Sequence, residues 1–434
     1  MKVVVLGGGV TGLSAAWDLQ KNGNEVTILE KEGVVGGLAG GFWEKGWEWP
    51  LERAYHHIFS NDQDIARFAK EVGFSPFIFQ RPLTGALVKK GNNYRIFPVD
   101  SPIDFLLFPH LPILSKLRAG IVLAFLKYTP FLSLFEKTTS EAFIKKTMGE
   151  DVWKGLWQPL FRKKFGKYAE YILASFIWAR INKRTPVLGY PEGGFQSFCT
   201  FVAKKFVEQR GGVVCDFTVE EIQKQKDTFL VVGKDKEGKL SQFVADKIIS
   251  TLPYPITLHI ARRILPEGYA KQQNKRKYLF AINLILKGRE KVLEKAYWLN
   301  VGAKEILIMG IIQHTNFVSS AHYGGEEICY CAWYVDGDSP LLLKNEQEMV
   351  DYVFPYLQLI NPRLKTKPEV AKLSKAPYAQ PIFDAQFATI DRSFTTPVPG
   401  FFIANMDMTY PYDRGTNYAV KLGRKVSKLI TNKI

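Results

Sequence analysis

Three glycines near the amino end of the chain have the spacing of a loop that holds a dinucleotide. Gly7, Gly9 and Gly12 follow an apolar run and open a helical pattern, in the order G-x-G-x-x-G. The first glycine of such a loop permits a tight turn, the second lets the backbone approach a pyrophosphate, and the third lets the helix pack closely on the strand. We therefore predict a pyrophosphate-binding loop here, completed by Val10 and Thr11.

An acidic residue follows the second apolar run of the chain. Glu30 comes directly after Val26–Leu29, about 20 residues past the glycines, where a carboxylate can bind a ribose 2′-hydroxyl. The same carboxylate would repel a 2′-phosphate, so we expect a free adenosine ribose. Because strand, turn, helix, second strand and acid occur in register, an adenine dinucleotide is favoured over a purely structural turn.

A second glycine cluster comes soon after this acid. Glu30 and Lys31 are followed by Gly36, Gly37 and Leu38 in the run GGLAGG. This arrangement resembles the flavoprotein superfamily of FAD-dependent amine oxidases, protoporphyrinogen oxidases and phytoene desaturases. In that superfamily the second cluster lies against the ribityl and pyrophosphate part of FAD. The resemblance therefore implies FAD as the cofactor, with Lys31, Gly36, Gly37 and Leu38 among its binding residues; the alternative is a flexible surface loop.

Two adjacent histidines form a candidate catalytic segment. The run His56-His57-Ile58-Phe59 resembles a stretch of the UDP-galactopyranose mutases that lies beside the isoalloxazine ring. This resemblance implies a catalytic position for His57, with His56 as a hydrogen-bonding support. Lone histidines are more often core or loop residues, which is the alternative interpretation.

Two further segments resemble parts of the same superfamily that contact FAD. The run Tyr190-Pro191-Glu192-Gly193-Gly194 resembles the turn at which the chain returns to the nucleotide domain. In the family a residue shortly after the next strand holds the adenine through its backbone, and Val219 is the matching choice. The run ending at Thr251 resembles the segment that passes the pyrophosphate, which implies a cofactor contact for Thr251.

The last segment of the chain resembles the strand, loop and helix that contact the flavin in this superfamily. Asn405 follows a short apolar strand, and Gly415, Thr416 and Asn417 open the final helix. A helix start in that place stabilises negative charge on reduced flavin. Arg414 could pair with a phosphate or a substrate anion, or form a surface salt bridge. The family usually has a glycine followed by an acid after the strand, and this chain departs from that pattern, which leaves the role of its acid open.

These motifs recur along the whole chain in an interleaved order. We expect an α/β protein with a Rossmann-type, glutathione reductase-like FAD-binding domain interleaved with an α+β substrate domain. The FAD-binding domain is expected to comprise residues 1–60, 190–253 and 385–434. The substrate domain, with a helical, apolar and basic insert, is expected to comprise residues 61–189 and 254–384.

Composition limits the partners of the protein. The chain has 434 residues and a formal net charge of +16, yet it contains no nucleic-acid-binding motif. An anionic membrane surface or a phosphorylated substrate fits this charge better, and a solubilising surface is the alternative. The four cysteines and six histidines do not form a zinc-site pattern, so no metal is expected. We expect reduced cysteines and no signal peptide, and therefore a cytoplasmic protein, peripheral at the inner face of the membrane if lipid is the partner.

Two segments of the expected substrate domain have unusual composition. Residues Ser101 to Lys137 are intensely apolar but interrupted by prolines and basic residues. They fit buried core, a lid over an apolar channel, or an interfacial segment with basic residues at lipid headgroups; no run is long enough to span a bilayer. The next segment is rich in aromatic residues and carries a basic belt, which consists of Arg162, Lys163, Lys164, Lys167, Arg180, Lys183 and Arg184. Such a belt is usually a solvated face.

The function that these features favour is FAD-dependent oxidation or desaturation of a small molecule that is apolar, isoprenoid-like or amine-like. Hydride would pass to flavin N5, and the protein would supply orientation and electrostatics. The alternative is a UDP-galactopyranose mutase-like enzyme that acts on a nucleotide-sugar without net redox change. The histidine segment and the basic charge favour the mutase, whereas the apolar segment favours the oxidase.

Overall fold

The computed structural model describes residues 1–74, 76–91, 93–109 and 111–431. Its strands are β1 (Lys2–Leu6), β2 (Glu25–Leu29), β3 (Gly41–Phe42), β4 (Leu51–Glu52), β5 (Ile58–Phe59), β6 (Phe77–Gln80), β7 (Leu83–Lys90), β8 (Asn93–Pro98), β9 (Leu188–Pro191), β10 (Gly212–Val214), β11 (Phe217–Gln225), β12 (Thr228–Asp235), β13 (Leu240–Ala245), β14 (Lys247–Ser250), β15 (Tyr278–Gly288), β16 (Ala296–Val301), β17 (Gly310–Gln313), β18 (Glu327–Val335), β19 (Glu369–Pro381) and β20 (Phe401–Ile403).

The α-helices connect these strands and also form a separate helical region. They are α1 (Val10–Lys21), α2 (Gln63–Val72), α3 (Pro102–Leu107), α4 (Ile113–Tyr128), α5 (Ser140–Thr147), α6 (Glu150–Val152), α7 (Gln158–Phe165), α8 (Ala174–Lys183), α9 (Gly194–Glu208), α10 (Tyr254–Ile260), α11 (Glu267–Gln273), α12 (Glu346–Ile360), α13 (Ala385–Ala388) and α14 (Thr416–Ile430).

A five-stranded parallel sheet carries the amino-terminal glycine turn. Its strand order is β10-β2-β1-β14-β20, and all four neighbouring pairs are parallel. The central strand β1 is apolar and buried from Val3 to Leu6 because helices and strands cover both of its faces. Helices α1 and α14 pack against each other beside this sheet. The carboxyl ends of its strands converge at one edge, where ligands bind in open parallel sheets.

A seven-stranded mixed sheet forms the second large layer. Its order is β19-β15-β18-β17-β16-β7-β8, and all of its strand pairs are antiparallel except β16 with β7. Helices α3 to α8 form a helical region next to it, in which Phe161, Phe165 and Phe176 share one buried cluster. The combination of a parallel sheet with helices and a mixed sheet confirms the predicted α/β class.

The apolar segment from Ser101 to Lys137 is not a buried core element. Apart from His110, which lies outside the described residues, it forms α3, α4 and a short turn at Leu132–Leu134. Ala119 and Leu126 of α4 face the protein interior, but many other large apolar side chains of this segment are exposed. The interpretation as ordinary core is therefore wrong for the outer face of α3 and α4.

Candidate active site

A cavity of about 670 Å³ connects the parallel sheet with the mixed sheet and the helical region. Residues that follow β1, β2, β14 and β20 line one end of it, and residues of β15 to β19, α7 and α8 line the other. This volume lies within the usual range for sites that bind small molecules and cofactors. Both ends belong to one continuous space, so groups from either sheet can meet a single ligand.

The glycine turn after β1 has the backbone geometry that its sequence predicts. Gly7 has a φ of +99°, a conformation that side chains disfavour. A Cβ atom at Gly12 would overlap the carbonyl oxygen of Gly7, so this glycine permits close packing of α1 on the turn. Helix α1 begins at Val10 with no side-chain cap, and Gly9, Val10 and Thr11 line the cavity. The uncapped helix start therefore presents its amides and positive dipole end to this space.

The second glycine cluster lies directly against the first one. The amide of Gly36 donates a 2.9 Å hydrogen bond to the carbonyl oxygen of Gly8, and Gly9 and Gly36 form a parallel bridge. Gly36 and Gly37 have φ values of +133° and +57°, and a Cβ on Gly37 would approach the Cα of Gly9 to 3.1 Å. Gly36, Gly37 and the exposed Leu38 line the cavity. Only residues without side chains allow the two turns to approach so closely.

Glu30 is held in place by the backbone around it. Its Oε2 accepts a 2.6 Å hydrogen bond from the amide of Gly8, and its Oε1 accepts a 2.9 Å bond from the amide of Glu32. The carboxylate is buried and lies on the cavity wall. Thr251 also lines the cavity, and its hydroxyl donates a 2.8 Å hydrogen bond to the carbonyl oxygen of Leu6. Both side chains therefore hold fixed orientations at the end of the parallel sheet.

The start of α14 forms another part of the wall. Gly415 precedes the helix without a side-chain cap, and the buried Thr416 Oγ1 has no hydrogen-bond partner among the described residues. Asn405 lines the cavity and fixes its loop, because its Nδ2 donates a 3.1 Å bond to the carbonyl oxygen of Leu252. Asp407 follows it, and one of its buried oxygens also has no partner within the described part of the chain. Both residues line the cavity, although these two oxygens are themselves buried within the protein.

Four of the predicted cofactor-binding residues do not line this cavity. Gly12 lies beneath the turn, and Lys31 is exposed at the surface. Val219 packs beside the core cluster around β11 and β12. The buried Oδ1 of Asn417 accepts a 3.0 Å hydrogen bond from the amide of Ile65, so this side chain joins α14 to α2 instead of facing the cavity.

His56 and His57 both line the cavity as neutral imidazoles. Burial lowers the pKa of His57 to about 3, with further lowering by the nearby positive charges of Arg184 and Arg180. Burial also lowers the pKa of His56 to about 4, although the carbonyl of Ala54, 2.6 Å from its Nδ1, opposes this. His57 Nδ1 lies 3.2 Å from the Tyr297 hydroxyl, at hydrogen-bond distance. A neutral imidazole retains one acceptor and one donor nitrogen.

Arg414 is anchored on the mixed sheet although it precedes α14. Its Nη1 donates a hydrogen bond to the carbonyl oxygen of Ala379, and its guanidinium lies 4.8 Å from the centre of the Tyr334 ring. The residue lines the cavity, and burial lowers its pKa. This position is not a surface salt bridge, the alternative that the sequence left open.

Some members of the basic belt face the cavity rather than solvent. Lys164 of α7 and Arg180, Lys183 and Arg184 on or directly after α8 line it. Lys164 donates a 2.7 Å hydrogen bond to Asp413, and burial lowers the pKa of this lysine to about 8. The interpretation of the whole belt as a solvated face is therefore wrong. A signal was present, because three cations recur at helical spacing on a segment whose other residues are largely apolar.

The donor set and the glycine turns fit FAD. Two uncapped helix starts, at α1 and α14, open on the same cavity, and such starts suit a pyrophosphate and an electron-rich ring. The two contiguous glycine turns leave space beside the main chain that side chains would otherwise occupy. The carboxylate of Glu30 lies at the end of the second strand, where a ribose hydroxyl can donate to it.

Comparison with known proteins identifies the class that this site belongs to. The sequence profile of the family described as flavin containing amine oxidoreductase matches residues 10–431. The chain belongs to this family. This membership confirms the predicted resemblance, the FAD cofactor and the expectation that the protein is an enzyme of a flavin-dependent oxidoreductase family.

Desaturases are among the relatives by sequence, and they match only in part. A zeta-carotene desaturase of Solanum lycopersicum is 31% identical over 133 residues, which cover 29% of this chain and 22% of the relative. A zeta-carotene desaturase of Zea mays is 24% identical over 238 residues, which cover 49% of this chain and 41% of the relative. The chain therefore matches less than half the length of these relatives.

The solved structures that resemble this one share its fold over nearly the whole chain. An oxidoreductase from Methanosarcina mazei has a TM-score of 0.76 at 20% identity and covers 99% of this chain and 100% of its own. Putrescine oxidase bound to putrescine has a TM-score of 0.73 at 13% identity and covers 100% and 99%. Reduced UDP-galactopyranose mutase has a TM-score of 0.70 at 16% identity and covers 100% and 96%. At these identities the likeness concerns the fold alone.

Proposed function

We propose that this protein oxidises or desaturates a small apolar, isoprenoid-like or amine-like molecule, with FAD as the hydride acceptor at flavin N5. The observation that supports this is the continuity of the cavity. One end has the glycine turns and Glu30, and the other has an apolar wall that includes Trp157, directly before α7, Phe161 of α7 and Phe176 of α8. A substrate on this wall shares one continuous space with the cofactor site.

Within this proposal the residues of the chain have distinct roles. We assign the pyrophosphate to the amides of Gly9, Val10 and Thr11, supported by the second glycine turn. We assign the adenosine ribose to Glu30, and the ring to the start of α14 at Gly415 and Thr416. His57, neutral at physiological pH, is positioned to orient the substrate through a hydrogen bond from its ring. Arg414, fixed on the mixed sheet, contributes positive charge to the same wall.

The proposal is tested on the purified protein with its native cofactor. Anaerobic addition of an apolar amine or a polyene should bleach the flavin absorbance, and stopped-flow reoxidation should restore it. Substitution His57→Gln should slow the bleaching while leaving the bound FAD content unchanged. A colourless protein, or a yellow protein that no apolar substrate bleaches, would contradict the proposal.

A mutase-like reaction on a nucleotide-sugar is a second candidate function. It is favoured by the cationic end of the cavity, where Lys164, Arg180 and Arg184 could bind a diphosphate. The discriminating measurement is the binding of UDP-galactose to oxidised and to reduced enzyme. Binding restricted to the reduced enzyme, without net bleaching or reoxidation during turnover, would favour the mutase over the oxidase.

The exposed face of α3 and α4 supports a membrane surface as a partner. Leu114 and Ile121 of α4 are 76% and 73% exposed, and the exposed apolar residues of this helix recur at helical spacing along one stripe. Apolar patches of this kind mark interaction sites in soluble proteins. We infer an anionic bilayer as the occupant because the chain carries a net charge of +16. In the described parts of the chain, no helix is long and apolar enough to cross a bilayer.

Vesicle binding tests this partner. We expect the protein to sediment with vesicles of phosphatidylcholine and phosphatidylglycerol more strongly than with phosphatidylcholine alone. The substitutions Leu114→Glu and Ile121→Glu should each weaken vesicle binding by roughly tenfold or more. Each removes an aliphatic side chain whose burial in the bilayer would contribute about 1.5–3 kcal/mol. Leu343→Glu is the matched control, because Leu343 is 87% exposed but lies outside α3 and α4. Concentration-dependent dimerisation that Leu114→Glu abolishes, without vesicle binding, would assign the face to a second copy instead.

A further inference from the structure

Helix α8 directs three cations towards one end of the cavity. Arg180 and Lys183 stand at positions i and i+3 of α8, which share one face of the helix, and Arg184 follows directly after the helix with an extended backbone. All three line the cavity, and Lys164 of the neighbouring α7 lies beside them. Positive charge at the end of a helix interacts favourably with the helix dipole, but the dipole does not explain why cations from two helices converge on one cavity.

The acidic groups near these cations pair with Lys164 and Arg180 but not with Lys183 or Arg184. Asp413 accepts from Lys164 at 2.7 Å and lies 3.8 Å from Arg180. Asp62 lines the cavity, but its Oδ2 accepts a 2.8 Å bond from the amide of Phe59, and burial raises its pKa to about 6. Asp100 acts on Arg184 only at a distance, and its Oδ2 accepts a 2.6 Å bond from the amide of Thr84.

Two of the cations therefore have no anionic partner. Within the part of the chain that the structure describes, the Arg184 guanidinium makes no hydrogen bond or ion pair. The ammonium group of Lys183 lies 5.7 Å from the Tyr412 ring and makes no closer polar contact there. Burial, together with Arg180, lowers the pKa of Arg184. Lys183 is exposed to solvent, whereas the Arg184 side chain is partly withdrawn from water. A cation withdrawn from water without a partner is unfavourable, and the guanidinium fork of Arg184 fits a carboxylate or phosphate well.

We propose that the substrate carries an oxyanion, a carboxylate or a phosphate, that binds to Arg180, Lys183 and Arg184. Its apolar body then lies against the wall formed by Trp157, directly before α7, and by aromatic residues of α7 and α8 such as Phe161. This inference rests on the proposed function, because it concerns the same substrate cavity. It favours amphipathic acids over amines, since an ammonium group would meet like charge at this end.

Binding to the FAD-loaded enzyme tests the proposal. The probes are octanoate, inorganic pyrophosphate and octylamine, titrated by calorimetry and by the perturbation of flavin absorbance. We expect octanoate or pyrophosphate to bind and octylamine not to bind; the anion that binds more tightly identifies the carboxylate or the phosphate class. Arg184→Gln should weaken the affinity for the anion by roughly 10- to 100-fold, the usual effect of losing a hydrogen bond to a charged group. Arg184→Lys, which keeps the charge, should recover part of this loss.

Arg162→Gln is the matched control, because Arg162 lies on α7 but is exposed and does not line the cavity. A second readout separates binding from folding: Arg184→Gln should raise the melting temperature of the enzyme without anion and reduce the increase that the anion causes. Equal anion affinity in Arg184→Gln and Arg162→Gln would overturn the inference. Binding of octylamine instead of the anions, or a loss of FAD in Arg184→Gln, would overturn it as well. If the protein holds no FAD, the proposed function fails; if an apolar substrate bleaches the flavin but no anion binds, only this inference fails.

Discussion

The two ends of the cavity are built on different principles. At the parallel sheet, consecutive glycines and one carboxylate shape the wall, and the Glu30 oxygens already accept hydrogen bonds from Gly8 and Glu32. At the helical region, side chains from distant segments converge, and Lys164 and Asp413 pair across 249 positions of the sequence. The first end is shaped by backbone and offers the amides at the start of α1, whereas the second offers positively charged side chains without an anionic partner.

This contrast concerns how each end recognises its ligand. Backbone amides and a fixed carboxylate recognise the diphosphate and the ribose of a dinucleotide, and amino-acid substitutions in the turn disturb this geometry easily. Long cationic side chains recognise charge and can be altered one at a time without moving the backbone. We therefore expect substitutions at the sheet end to abolish cofactor binding and substitutions at the helical end to change ligand affinity by degrees.

The largest effect is expected at the glycine beneath the turn. In Gly12→Ala the new Cβ would overlap the Gly7 carbonyl oxygen, which is backbone and cannot move aside. We expect destabilisation of about 1–3 kcal/mol or more and loss of most bound FAD, measured by urea unfolding and by the absorbance ratio of flavin to protein. Gly268→Ala is the control, because a Cβ there meets nothing within 4 Å. Retention of FAD in Gly12→Ala would show that the turn is not under steric constraint.

A smaller effect is expected from the carboxylate of the same end. In Glu30→Gln the amide has one acceptor oxygen, so one of the bonds from Gly8 and Glu32 is lost together with a ribose acceptor. We expect the dissociation constant for FAD to rise roughly 10- to 100-fold, measured by quenching of FAD fluorescence. Glu32→Gln should have much less effect, since Glu32 is half-exposed and pairs with Arg53 at 3.3 Å. Equal losses in both variants would contradict a specific role for Glu30.

The sheet end could be predicted from sequence because its determinants are local. Gly7, Gly12 and Glu30 lie on one strand-turn-helix-strand unit, and their spacing fixes their relative positions. The directions of individual side chains were harder to predict from the sequence. Lys31 and Asn417 fit the motif by position, but their side chains lie outside the cavity wall, because a motif specifies the backbone path and not the direction of each side chain.

The helical end could not be predicted, since its geometry depends on tertiary packing. Charged residues on a helix usually face solvent, and only the packing of α7 and α8 against the mixed sheet encloses Lys164 and Arg184. The outer face of α4 reverses the same expectation. Many of its apolar residues are exposed, so of the three interpretations that composition allowed for this segment only buried core is wrong.

The pH dependence of anion binding should distinguish the two ends further. Burial lowers the pKa of Lys164 from 10.5 to about 8, so its charge is lost as the pH rises through about 8. Anion affinity should then fall about three- to tenfold, whereas the free energy of unfolding should rise between pH 8 and 10.5, because the unfolded chain binds the proton more tightly there. Calorimetry and urea unfolding at pH 7 and 9 measure both.

Lys163 provides a matched control for this pH effect. Burial also lowers its pKa to about 8, but its ammonium group donates to backbone carbonyls, including that of Ala303, and does not line the cavity. Lys163→Met should therefore change the pH dependence of stability and leave that of anion binding intact, whereas Lys164→Met should change both. An anion affinity that is constant across this range would place Lys164 outside the binding site.

The smallest effect is expected for the lysine next to Glu30. Lys31 is exposed and does not line the cavity, so Lys31→Ala should change the FAD dissociation constant by less than about threefold, as for other surface substitutions. The measurement is the same fluorescence titration, repeated at low and high salt. A tenfold loss that salt diminishes would mean that positive charge attracts the diphosphate at the sheet end as well. Because amides and helix dipoles already supply attraction there, we expect no such loss, and cationic recognition is then confined to the end formed by α7 and α8.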